Sequence, residues 1–307
     1  MQNNTIKIIS VYAIACLIWG STWMAIRIGL DSLTPFISAG LRFLFASFFI
    51  LFFMKIRKMK IQKDKISVKL YLAMGFFSFV IPYGLVYWGE QYIPSGLASV
   101  LFAINPFFVA LFSYYLLSQE KITIYKIAGM ITGFTGIVII FSEDIFNTTA
   151  FYVWGMAAII LSALIQGWIQ VTIKKHGQHL NPFSMNFYPM LLAGISLLLI
   201  GFLTEDIKKI TIDEKAVVSV LYLAFFGSMI VFTCWYWLLK RVNVIVLSLI
   251  AFITPVIALI LGIVFLNEAL TIKHLTGSLF VLAGLLIATL GNVKSNLKIN
   301  LIQKRQK

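Results

Sequence analysis

Charge is what this chain has least of. Asp, Glu, Lys and Arg make up 12% of its 307 residues, against about 25% in a soluble domain. So few charges cannot clothe a soluble surface, and with 60% hydrophobic residues the composition is that of an integral membrane protein. Cysteine is nearly absent. Cys16 and Cys234 both fall in apolar segments and read as packing residues, not as a disulfide or a metal pair. His176, His179 and His274 lie in breaks or at a segment boundary, so there is no helical His-Glu metal motif. No nucleophile–base pair, phosphate loop or close acidic pair stands inside the apolar segments. An intramembrane enzyme is the weaker reading, and no cofactor or metal is expected. No Asp or Glu lies at the centre of an apolar segment, where coupled carriers often place one. This predicts weak or indirect ion coupling.

What the chain has instead is long apolar runs. A helix needs about 20 apolar residues to cross the hydrocarbon core. Ten stretches qualify, at 9–30, 35–54, 70–90, 96–117, 122–141, 151–173, 182–203, 216–240, 245–266 and 273–292. The first exceeds a signal-peptide core of about 7–15 residues and no small-residue cleavage site follows, so it reads as a retained span. The net charge of +14 could suggest nucleic acid, but most basic residues sit between the spans, as topology determinants do. With the N-terminus inside, nineteen Lys and Arg fall on the inner side and four on the outer, while nine of eleven acids fall outside. Both termini are therefore expected in the cytoplasm, and no nucleic-acid partner is expected. The basic tail, 295–307, reads as a topology signal that could also touch anionic lipid.

A repeat runs through the chain. Tyr87-Trp88, Asn105-Pro106, Glu120, Gly129 and Gly136 recur as Tyr236-Trp237, Thr254-Pro255, Glu268, Gly277 and Gly284. The Tyr-to-Pro and Glu-to-Gly spacings are the same in both copies. The expected units are 1–145 and 146–294, five spans each. An odd number inserts the second copy upside down, a signature of secondary transporters with a solute site near the midplane. The expected fold is an all-α polytopic membrane protein with ten transmembrane helices in two inverted five-helix repeats.

Trp19-Gly20-Ser21-Thr22-Trp23, Gly40-Leu41-Arg42-Phe43 and the doubled Pro–Glu–Gly–Gly blocks resemble the EamA type of the drug/metabolite transporter superfamily. The resemblance covers nearly the whole chain. It implies a ten-helix carrier in an inner or plasma membrane that moves amino acids, metabolites or drug-like solutes, usually outward.

Several residues are candidates for the solute path. Arg42, deep in span 2, must face the bundle interior; it could bind a solute carboxylate or be held by helix-end carbonyls or Glu90. Arg27 lies nearer the interface and could snorkel. Trp19 and Tyr83 could stack on the solute or simply pack. Ser162, Gln166 and Gln170 form one stripe on span 6, as a path lining or as interhelical glue. Pro106 and Pro255 free the carbonyls four residues back and are expected as paired hinges beside Asn105 and Thr254. Tyr87, Trp88, Trp235 and Tyr236 could form gates at opposite faces, or an aromatic belt. Glycines 129, 133, 136, 277 and 284 read as scaffold, and Glu120 and Glu268 as turn or capping residues. The solute is expected to be anionic or zwitterionic with an apolar portion. Amino acids fit, and the alternatives are a drug, cation, nucleoside or sugar permease of the same fold.

Overall fold

The computed structural model describes residues 2–59, 61–117, 123–144, 149–181, 183–239, 241–242 and 250–305. Among them there is no strand. The helices are α1 (Gln2–Leu30), α2 (Pro35–Ile56), α3 (Lys65–Gly89), α4 (Ser95–Leu116), α5 (Ile124–Asp144), α6 (Ala150–His176) and α7 (Ser184–Thr204). They are followed by α8 (Glu214–Ala224, running on through Val231–Leu239), α9 (Ile250–Leu266) and α10 (Ile272–Arg305). Helices dominate because the bilayer offers no partner for an unpaired backbone group. Nine described helices are long and apolar enough to cross a membrane, and α9 contributes a further 17 described residues. The expected start of its span, at 245–249, lies outside the described residues, as does Glu120. Helix α1 starts seven residues before the expected span, at Gln2, and two other boundaries differ by five residues or more. Helix α3 starts at Lys65, where Asp64 caps it by accepting from the Ser67 N–H, and α10 runs on as helix through 295–305. Below, the near face is the one where α1 begins and the far face the one where it ends.

The packing interchanges the two halves. Helix α5 lies along α10 and α2 along α7, so that each meets its counterpart, while α1 packs on α8 and α9 as α6 packs on α3 and α4. The repeated glycines meet crosswise: a methyl group at Gly277 would stand 2.6 Å from the Gly136 carbonyl oxygen, and Gly284 adjoins Gly129 in the same way. Absent side chains let these two backbones touch, a known route to helix association in lipid. Phe43, Tyr87, Leu97, Leu101, Met156 and Met190 fill the interior.

Local irregularities also recur. Helix α3 passes through a π-helical stretch at Gly75–Val80 and α8 through another at Phe225–Ile230, equivalent places in the two halves. Helix α4 breaks between Phe102 and Asn105, where Phe107 N–H bonds back only three residues, to the Ile104 carbonyl at 2.9 Å. Pro106 cannot donate there. Its counterpart Pro255 lies inside an α9 that continues as helix on either side of it.

At the far face, carboxylates cap helix N-termini across the two halves. Glu205, at the end of α7, accepts from the N–H groups of Phe36 (2.9 Å) and Ile37 (3.2 Å) in α2. Glu268, after α9, accepts from Ser95 (2.6 Å) and Gly96 (3.0 Å) in α4. Anions are favoured where the first N–H groups of a helix lack partners. Asn267 adopts φ 51°, a left-handed turn that Asn tolerates, and so delivers Glu268 to this cap. Asp213 accepts from Ser32 at 2.7 Å and Lys215 pairs with Asp31 at 2.9 Å, adding two more links across the far face.

Candidate functional site

The π-helical stretch in α8 creates an acceptor in the interior. Val231 N–H bonds to the Phe226 carbonyl, five residues back, and so bypasses the carbonyl of Gly227. Arg42 Nη2 donates to that Gly227 oxygen at 3.3 Å. Ser228 Oγ donates to the Leu223 carbonyl (2.9 Å) and accepts from Arg42 Nε at 3.4 Å. On the other side, Tyr87 Oη accepts from Arg42 Nη1 at 3.4 Å. The rings of Tyr83 and Phe43 lie 5.0 and 5.2 Å from the guanidinium carbon, within cation–π range. Helix α1 closes the cluster, with Thr22 against Gly227.

Arg42 is 2% exposed, and the hydrogen-bond partners described for it are neutral oxygens at 3.3–3.4 Å. Typical N–H···O bonds are 2.7–3.2 Å, and a guanidinium carries five donors. The cation is thus positioned from both halves but held at long range. Tyr87, expected near a rim, is instead 0% exposed and serves as this partner. The first half contributes Arg42, Tyr83 and Tyr87, and the second contributes the π-helical stretch.

One opening reaches the cluster and a second lies at the far face without touching it. From the near face a narrow cleft of about 10 Å³ ends at Ser228, between Ile50, Phe183, Asn186, Met229, Phe232 and Thr233; it has room for about one water. At the far face a wider vestibule of about 430 Å³ lies among Arg27, Asp31, Gln91, Tyr92, Tyr152, Glu268 and their neighbours. Neither includes Phe43 or Tyr87. Arg27 does not snorkel freely: its Nη1 donates to the carbonyls of Glu90 (2.8 Å) and Gln91 (3.2 Å) at the end of α3.

The remaining candidates divide among several places. Trp19 meets Trp235 (centroids 5.4 Å apart) and Phe232 (6.0 Å), an aromatic cluster between α1 and α8 beside the near cleft. Trp88 packs edge-on against Tyr92 in the far region. The side chain of Tyr236 lies outside the described residues. Asn105 Nδ2 donates to the Ala163 carbonyl at 2.7 Å and so ties the α4 break to α6. Ser162 donates to the Pro82 carbonyl at 2.9 Å. Along the same stripe Gln166 is half-buried and Gln170 exposed, at the near end of α6. Thr254 is half-buried, where the α9 backbone passes Gly20 of α1.

Sequence reasoning missed Gly227 and Ser228. The available signals were a Gly-Ser pair inside an otherwise apolar span and a Phe-Phe pair at 76–77 repeated at 225–226.

The sequence matches the EamA-like transporter family twice, over residues 6–142 and 153–290. The chain belongs to this family. Among EamA-like relatives it is 29% identical to the uncharacterized transporter YoaV of Bacillus subtilis, over 89% of this chain and 93% of that protein. It is 30% identical to protein PagO of Salmonella typhimurium, over 84% of each. A probable amino-acid metabolite efflux pump of Salmonella typhimurium is 27% identical over 89% of this chain and 92% of its own length. Among the solved structures that match, a crystal structure does so with a TM-score of 0.67 and 19% identity, covering 92% of this chain and 96% of its own, a likeness of fold alone. This EamA-like chain is thus a polytopic membrane protein of a transporter family, and the names of its relatives point to transport, not to catalysis.

Proposed function

We propose that this protein is a secondary transporter that exports or exchanges amino acids or similar small zwitterionic metabolites by alternating access. It would sit in an inner or plasma membrane with the near face cytoplasmic, and residues 1–145 and 146–294 would act as the two inverted repeats. The observation that carries the reading is Arg42: a buried cation held at long range by neutral oxygens from both halves. A solute carboxylate would supply the missing counter-charge, and bidentate Arg–carboxylate pairing is both strong and oriented. The Trp19–Trp235–Phe232 cluster supplies an apolar surface for the rest of the solute.

The test is counterflow in proteoliposomes loaded with a mixed amino-acid pool, with labelled amino acids added one at a time. Saturable, trans-accelerated uptake is expected in the parent, with a loss of at least about tenfold in Arg42→Ala, equivalent to about 1.4 kcal/mol. Arg42→Lys keeps the charge but loses the planar fork and should recover only part. Counterflow absent across the whole panel overturns the amino-acid reading and directs the search to nucleosides, sugars and cationic drugs. Flux without saturation or trans-acceleration would indicate a channel.

A further inference from the structure

The end of α3 holds a carboxyl group that the reading above does not use. Glu90 is 0% exposed, and among the described residues neither of its carboxyl oxygens has a hydrogen-bond partner. It follows the last turn of α3, where the negative end of the helix dipole disfavours an anion. Three charged groups act on it: Glu268 after α9, Arg27 of α1 and Arg42 of α2. Arg27 Nη1 donates to the backbone oxygens of Glu90 and Gln91. Arg42 bonds Tyr87, Gly227 and Ser228, and the Glu268 carboxylate is committed to the start of α4. A buried carboxylate without direct bonds costs several kcal/mol, whereas the neutral acid forfeits roughly 1–3 kcal/mol. The closed bundle therefore favours the acid.

We propose that Glu90 is a proton-binding site that gates the far side: its carboxylate takes a proton from the vestibule water when the bundle closes and returns it there on opening. An O–H bond forms on closing and breaks on opening, so the proton leaves and re-enters the same compartment and none is carried across. The vestibule is the source because Gln91 and Tyr92, which follow Glu90 directly, line it together with Arg27 and Glu268. Toward the near face, Val86 and Tyr87 are buried. Raising the pH on the vestibule side makes protonation costlier and so favours the open form. The gating role rests on the transporter reading, whereas the proton site does not.

Two measurements need no solute. Infrared spectra of the purified full chain in lipid nanodiscs should show a protonated carboxylic acid at neutral pH that disappears in Glu90→Gln. A thiol introduced as Gln91→Cys should react with a water-soluble maleimide faster as the pH rises, read by peptide mass spectrometry. Dividing by the rate in the Glu90→Gln background removes the thiol's own titration, and the ratio should climb by up to about tenfold per pH unit, the limit for one proton. Absence of the acid band in the parent, or its persistence in Glu90→Gln, overturns the site. A flat ratio overturns the gate. A positive result in both with no amino-acid counterflow leaves this inference standing and removes the amino-acid reading alone.

Discussion

Removing the carboxylate of Glu268 should loosen the far face measurably. Its two oxygens hold the first N–H groups of α4 at 2.6 and 3.0 Å. Hydrogen bonds to a charged group contribute roughly 1.5–3 kcal/mol each, so two give an upper limit of about 3–6 kcal/mol. Glu268 also borders the vestibule, and water entering there would recover part of the loss. We expect about 2–3 kcal/mol for Glu268→Ala, at and above the roughly 2 kcal/mol top of the range for a single N-cap because two N–H groups lose a charged partner, and about half for Glu268→Gln, which keeps one acceptor oxygen. At roughly 2 °C per kcal/mol for a chain of this size, Glu268→Ala should lower the apparent Tm in detergent by about 4–6 °C at a fixed scan rate. Hydrogen exchange of the Ser95 and Gly96 amides should accelerate in parallel. Gly262 provides an independent handle: a methyl group there would meet the Glu268 carboxyl carbon at 2.9 Å. Gly262→Ala should therefore displace the same cap, and the double variant should be little worse than Glu268→Ala alone. Fully additive losses, or an unchanged Tm in Glu268→Ala, would refute the cap.

Gly277→Ala should destabilise by about 1–3 kcal/mol, because its methyl meets the Gly136 carbonyl and Ile140, both at 2.6 Å; Gly277→Leu should fail to give a monodisperse peak on size exclusion. Asn105→Ala leaves the break in α4 without its tie to Ala163 and should lower the Tm, at a cost of about 1–2 kcal/mol. Asn105→Asp should be worse, because a carboxylate would then face a carbonyl. Asp213, held below the usual aspartate range by the Ser32 hydroxyl and the Ala216 N–H, contributes stability that is fully present above the ordinary aspartate pKa. That contribution is lost as the pH falls through the lowered value of the folded state. Ser32→Ala should move this acid loss to higher pH, read as Tm against pH.

Much of the architecture is legible in the sequence because the bilayer leaves so few solutions. Apolar runs of helical length have to be helices, and equal spacings such as Glu268–Gly277–Gly284 against Glu120–Gly129–Gly136 have to fold alike. The structure then adds that these glycines touch one another across α5 and α10, which no spacing states. The π-helical stretches are illegible, since one extra residue in a turn leaves the hydropathy of Phe225–Ile230 unchanged. Yet that extra residue frees the Gly227 carbonyl for Arg42 and so builds the site. Glu90 is misleading for a related reason: it ends an apolar run, where hydropathy reads an interface, but the turn after α3 folds inward and buries it. Pro106 and Pro255 have equal sequence standing, yet only the first stands at a break. The local turn at Ile104 and the Asn105–Ala163 bond stabilise that break, and Thr254 cannot donate as an amide does.

Among the contacts that join the halves, two kinds differ in what breaking them costs. The glycine seam between α5 and α10 buries backbone against backbone, and prying it apart would leave voids that nothing fills. The far-face links are a few polar bonds, two each at Glu205 and Glu268 and one each at Ser32–Asp213 and Asp31–Lys215, and water from the far side, where Asp31 and Glu268 line the vestibule, can replace them. In the proposed cycle the seam is therefore the fixed axis and the far-face links are what open. Arg42 lies where the moving parts meet, on α2 with its acceptors on α3 and α8. Its long bonds to Tyr87 and Ser228 can be given up to a carboxylate without leaving a charge uncompensated. A shorter pairing with a resident acid would have had to be broken in every cycle, at the several kcal/mol that separating a buried ion pair costs. The neutral hydrogen-bond partners of Arg42 are on this account what allow it to serve a passing anion.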